Sequence, residues 1–209
     1  MYLDTDEFGN PSINQLKELL QNNTKTLVSL MHANNEIGTL LPIEEVAWLC
    51  SQYDHVFFHS DTVQTMGHYY FDVKKLKIDF LVCSAHKFHG PKGIGFLYVN
   101  KNLNLNPIIT GGSQERSHRG GTENLYGIIG LGKAMELAFT EIEDHQKQVS
   151  ELKKYLKDEL IKIDSRIKFN GEVQKEKSLY TVLNVSFPKD ICNSMLLFSL
   201  DIHGIASSG

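Results

Sequence analysis

Cysteine is scarce in this chain: three among 209 residues, at positions 50, 83 and 192, with no shared spacing. An odd number without a repeat argues against a disulfide framework and suits a reducing compartment, so a cytoplasmic protein is expected. No run of eighteen apolar residues occurs, and the amino terminus shows no charged region followed by an apolar stretch. No membrane partner is therefore expected. An excess of one charge sign is missing too. The 21 Lys and Arg against 25 Asp and Glu leave a net charge of −4, which gives no global basic surface for nucleic acid. Neither a G-x-G-x-x-G fingerprint nor a Walker A pattern is present, which disfavours a nucleotide loop. His86 and His89 stand three apart, but zinc sites need more ligands than such a pair, so no metal is expected.

What the chain does have is 41% hydrophobic residues arranged in alternating periods, enough for a sizeable core in one large domain and the start of a second. Residues 12–21 read as a helix with Ser12 as N-cap, 27–31 as a strand, and 43–53 as a helix. A strand then leads to Asp61, and two more short apolar runs, 80–83 and 94–99, flank a glycine-rich turn. Strand, helix, strand alternation predicts an α/β fold with a mainly parallel, mixed sheet covered by helices, and the return through Gly95 predicts one antiparallel strand. Residues 126–163 read as one long helical region, 180–187 as a strand closed by Pro188, and 171–178 as an exposed connection. A domain boundary is expected near Glu143, dividing residues 1–142 from 143–209.

Two clusters carry chemistry. Lys87, in Ser84-Ala85-His86-Lys87-Phe88-His89-Gly90-Pro91-Lys92-Gly93, sits where an apolar strand meets a turn. Partial desolvation there would lower its pKa and supply a neutral amine for a Schiff base, although a lysine in a polar turn is more often a solvated surface charge. Asp61 opens Asp61-Thr62-Val63-Gln64 at the end of another strand, where an N-cap role is the plain alternative. In a parallel sheet the carboxyl ends of neighbouring strands line one crevice, so Asp61, Gln64 and Lys87 could converge. Pyridoxal phosphate requires that set: a lysine, a carboxylate for its pyridinium nitrogen, and donors around its ring oxygen and phosphate.

The ordered motifs NNEIG, DTVQ, SAHKFHGPKGIG, RGGTEN and LNVSFP resemble the class V pyridoxal-phosphate enzymes, and most of all the cysteine desulfurases of the NifS type, over residues 27–209. The resemblance implies a fold type I transferase whose smaller C-terminal α+β domain begins within this chain. It implies that Lys87 holds the cofactor, Asp61 pairs with the pyridine nitrogen and Gln64 bonds the ring oxygen. Ser84 and His86 correspond to phosphate ligands, Asn35 to the asparagine beside ring and substrate, and Thr122 to a residue reaching the phosphate of a partner subunit. A homodimer, L-cysteine as substrate, and a sulfur-acceptor or scaffold protein are implied with them.

The chain also departs from that pattern. The family's nucleophilic cysteine lies on a loop beyond the SSG at residues 207–209, and none of the three cysteines present matches it. A small buried hydrophobe is the expected role of each. The stacking histidine, one phosphate loop and the carboxylate-binding arginine also have no counterpart, so the chain reads as the central piece of a larger enzyme, inactive alone. A selenocysteine lyase, another class V aminotransferase, or a non-catalytic piece acting through protein contacts are the alternatives.

Overall fold

The computed structural model describes residues 1–191 and 195–209, so the reading of Cys192 lies outside the described residues. Helix α1 (Ile13–Leu20) begins at Ser12, whose hydroxyl accepts the Gln15 N–H at 3.2 Å, as the sequence predicts. Strand β1 (Thr26–Met31), helix α2 (Ile43–Cys50), strand β2 (Val56–Asp61), the single turn α3 (Val73–Leu76) and strand β3 (Phe80–Ser84) follow, then strand β4 (Gly95–Val99). The sheet order is β1-β2-β3-β4; the first two pairings are parallel and the last antiparallel. This is the mixed, mainly parallel sheet expected, with its antiparallel strand where Gly95 returns the chain.

One sheet face is the core. Strand β2 buries Val56, Phe58 and Ser60, and the register sets Val28 beside Phe58 and Leu81 beside Ser60. Leu16 and Leu20 of α1 join the same cluster, with Val46, Ala47, Leu49 and Cys50 of α2. Helix α4 (Leu125–Thr140) adds Ala134. On the other face Leu27, Met31 and Leu97 stay 60%, 47% and 52% exposed.

The region expected as one long helix is two. Helix α4 ends at Glu141, which has φ −105° and ψ 4°, and α5 (Ile142–Ile163) starts afresh with Glu143 and Asp144 in its first turn. Acidic side chains there complement the exposed N–H groups of a helix start, which makes a new beginning favourable. A two-stranded sheet of β5 (Lys168–Asn170) and β6 (Asn184–Ser186) pairs Phe169 with Val185, and α6 (Leu196–Ile202) follows.

The expected strand 180–187 shrinks to three residues, and the residue just before it is bonded elsewhere. The Leu179 N–H donates to the Gly38 carbonyl at 2.7 Å, and the Lys153 ammonium donates to the Leu179 carbonyl at 2.8 Å. Nor is 171–178 simply exposed: Glu172 and Ser178 are buried at its ends. The Glu172 N–H donates to Thr39 Oγ1 at 3.1 Å, which satisfies a polar group that burial would otherwise penalise.

Candidate functional site

Strands β1, β2 and β3 run parallel and end on one edge, at Met31, Asp61 and Ser84. The chain leaves β3 through a single 3-10 turn, Ala85–Phe88. Ala85 and Phe88 are its buried positions, three residues apart as the period of that helix requires, so His86 and Lys87 point away into solvent. Of the two readings of Lys87, the structure has the solvated one: its side chain is exposed, not partly desolvated. The turn itself is firmly held. The Ala85 N–H donates to the Ile94 carbonyl at 3.0 Å and the Gly90 N–H to the Ala85 carbonyl at 2.8 Å. A Cβ at Gly90 would lie 2.8 Å from Ala85 Cβ and 3.2 Å from Ala134 Cβ, so glycine is what lets α4 close over the lysine turn.

The neighbouring turn carries Asp61 and Gln64. Asp61 is the last residue of β2, exposed, and its Oδ1 accepts the Val63 N–H at 2.8 Å, a cap of the turn that orients the carboxylate. Its backbone is fixed on both sides: the Asp61 carbonyl accepts from His32 N–H at 2.8 Å, and Thr62 donates to the Val82 carbonyl from its N–H at 3.1 Å and its hydroxyl at 2.7 Å. Gln64 is half-buried. The two turns touch. Gly67, at φ +79°, would bring a Cβ to 2.7 Å from Phe88 Cβ, and His68 Nε2 lies 3.4 Å from the Lys87 carbonyl oxygen. The structure thus brings the segments of Asp61 and Gln64 against those of Ser84, His86 and Lys87.

Asn34 makes the turn that its residue type suggests, its Oδ1 accepting the N–H groups of Glu36 and Ile37 at 2.9 and 3.0 Å. Asn35 beside it is exposed, and its amide donates to Glu36 Oε1 at 2.8 Å. Thr122 lies apart, exposed in the long connection between β4 and α4. That connection is bonded within itself, as in Gly120 N–H to Ile109 carbonyl and Gly121 N–H to Gln114 Oε1.

Several groups beside the site carried no signal in the sequence. His32 is buried with Nδ1 2.9 Å from Thr65 Oγ1, and burial pushes its pKa down to about 4. His68, Tyr180 and His145 meet through one hydroxyl. Residues 68 and 180 are 112 apart in the chain, a distance no local spacing encodes. Cys50 and Cys83 are buried, and burial pushes their thiols up to about 12 and about 11, so both are the inert apolar fillers expected. Among the described residues no group of three His, Cys, Asp or Glu is placed to hold a metal, and no helix is long and apolar enough to cross a membrane.

Comparison with known proteins bears on the family and the fold. The aminotransferase class-V family model matches residues 1–209. The chain is 44% identical over 207 residues to a cysteine desulfurase IscS of Dictyoglomus turgidum, covering 99% of this chain and 51% of that one. It is 42% identical to the protein of the same name from Methanosarcina thermophila, with 99% and 50% covered. A solved NifS-like protein superposes with a TM-score of 0.89 at 38% identity, over 98% of this chain and 55% of that one. The chain spans about half the length of the curated relatives it matches. By the match of the family model to its whole length, it belongs to the aminotransferase class-V family.

Proposed function

We propose that this chain carries the lysine-bearing part of a pyridoxal-phosphate site, and that the enzyme to which the site belongs is a cysteine desulfurase acting on L-cysteine. One observation carries the reading: the turns after β2 and β3 meet through Gly67 and Phe88, so a carboxylate and an exposed amine share the strand-end edge of one sheet. The donor set fits the cofactor. Lys87 offers the amine, Asp61 an oriented carboxylate for the ring nitrogen, Gln64 an amide for the ring oxygen, and Ser84 and His86 donors for the phosphate. Asn35 would stand beside ring and substrate, and Thr122 would serve the phosphate of a second subunit in a homodimer.

When bound, the cofactor supplies an electron sink for the bond changes at the substrate α-carbon. Lys87 would supply the base that takes the α-proton and the acid that returns it. Asp61 would hold the ring nitrogen and favour the protonated ring. Neither Cys50 nor Cys83 can take the sulfur, since both are buried with raised thiol pKa, so the accepting thiolate lies outside the described residues. A sulfur-acceptor or scaffold protein, residence in the cytoplasm, and a division of the chain into a large-domain part, 1–142, and a small-domain part, 143–209, complete the proposal.

The test is borohydride reduction in the presence of pyridoxal phosphate, followed by peptide mapping. An adduct confined to Lys87, and lost in Lys87→Ala, is the expected result. Adducts spread over many lysines, or the same total adduct in Lys87→Ala, would sink it.

A further inference from the structure

Behind the lysine turn runs a hydrogen-bonded chain that the proposed chemistry does not use. His68 Nε2 lies 3.4 Å from the Lys87 carbonyl oxygen, His68 Nδ1 lies 2.7 Å from the Tyr180 hydroxyl, and that hydroxyl lies 3.1 Å from His145 Nδ1. The chain has a sense. A carbonyl only accepts, so His68 Nε2 must carry a proton. A neutral ring then offers Nδ1 as acceptor, Tyr180 donates its O–H to it, and the Tyr180 oxygen accepts from His145 Nδ1–H. Burial lowers the His68 pKa and raises that of Tyr180, which favours the neutral ring and the protonated phenol this arrangement needs. The backbone of His68 is tied to the same helix, because the Gln146 side-chain amide donates to its carbonyl.

Three segments remote in sequence are joined here: the turn of residues 62–68, helix α5 through His145 and Gln146, and the connection before β6 through Tyr180. Their common end is the backbone of Lys87. Gly67 adds close packing next to the polar chain, since its α-carbon lies against Phe88 where any larger residue would collide. Polar contact at residue 87 and apolar contact at residue 88 both fix the turn while the Lys87 side chain stays exposed.

We propose that His68 is a positioning residue for Lys87, holding the backbone of the lysine turn against α5 through Tyr180 and His145. The role rests on the reading of Lys87 as the cofactor lysine. Its structural half is independent of cofactor, because the chain of donors is complete without one. Tyr180→Phe removes the relay hydroxyl at nearly constant shape. His68→Gln replaces the ring by an amide that still donates to a carbonyl.

The experiment has two readouts. In the chain without cofactor, nitrogen NMR of the imidazoles reports the His68 tautomer and hydrogen exchange reports the Gly90 amide, whose bond to Ala85 closes the turn. The unsubstituted chain is expected to hold His68 as the Nε2–H tautomer, and Tyr180→Phe is expected to speed Gly90 exchange about fivefold to tenfold, the loss of one hydrogen bond. With pyridoxal phosphate and borohydride, the same variant should slow capture at Lys87 by a similar factor. His68→Gln should keep capture within about twofold of the unsubstituted chain, because its amide keeps a donor. A His68 ring protonated at Nδ1 in the unsubstituted chain, or unchanged Gly90 exchange in Tyr180→Phe, overturns the positioning role whatever the cofactor does. Absence of capture in the unsubstituted chain overturns the reading of Lys87 on which the role depends. The two failures are read from different spectra.

Discussion

The two faces of the four-stranded sheet are built from the same strands and differ in what lies on them. Phe58 is fully buried among residues from α1, α2 and β3, whereas its neighbour Phe57 turns to the other face, half-buried, with the Lys25 ammonium 5.4 Å over its ring. Parallel sheets are ordinarily covered on both faces. Here the covered face carries the folding energy and the open face carries Asp61. The lysine turn bridges the two, with Ala85 and Phe88 anchored in the core and Lys87 in solvent. A candidate site at this border gains a rigid backing without burying its charged groups.

The largest way to break the comparison is to truncate each phenylalanine. Phe58→Ala removes a fully buried ring and should cost about 3–5 kcal/mol, the range for a cavity of that size. Phe57→Ala loses a partly hydrated ring and one cation–π contact, for about 1 kcal/mol. Urea unfolding of both variants checks this. Equal losses would mean that the open face is covered in solution.

Much of this asymmetry was invisible in the sequence. Period-2 alternation in β2 marks which residues share a face, but Val56, Phe57 and Phe58 are all apolar, and nothing local says which face a helix will cover. Elements with strong punctuation were legible: Ser12 capped its helix, and Gly90 to Gly95 marked the return into β4. The break at Glu141 was not legible, because apolar positions continue at helical intervals through both α4 and α5. Residues 180–183 read like the start of a strand, yet long-range bonds from Gly38 and Lys153 to Leu179, just before them, hold the chain away from β6. In the site, the residue types of Lys87 and Asp61 and their places at strand ends were readable. The exposure of Lys87 was readable only as the common state of a lysine in a turn; which positions of the 3-10 turn meet α4 was not. His68, Tyr180 and His145 are joined only by the tertiary fold.

A smaller effect sharpens the contrast through pH. His32 is buried beside the core, and desolvation lowers its pKa from 6.5 to about 4. Between those values the unfolded chain binds a proton that the folded chain refuses, so stability falls as pH falls from 6.5 toward 4. The loss is about 3 kcal/mol at most. His32→Gln should flatten that acid slope. An unchanged slope in urea titrations at pH 4.5 and 7 would show that solvent reaches this ring.

The smallest effect lies away from the sheet and runs in the alkaline direction. Lys153 of α5 donates to Ser178 Oγ at 2.7 Å and to the Leu179 carbonyl at 2.8 Å, and desolvation lowers its pKa from 10.5 to about 8. Between pH 8 and 10.5 the unfolded chain keeps a proton that the folded chain has released, so stability rises with pH across that window. Solvent still reaches much of the side chain, which holds the gain to below about 1 kcal/mol. Lys153→Met should erase the slope while lowering stability at neutral pH, because two acceptors lose their donor. The slope is the discriminating quantity. If it survives in Lys153→Met, the alkaline gain belongs to another group, and the tie between α5 and residues 178–179 is held by the hydrogen bonds of a lysine that stays charged.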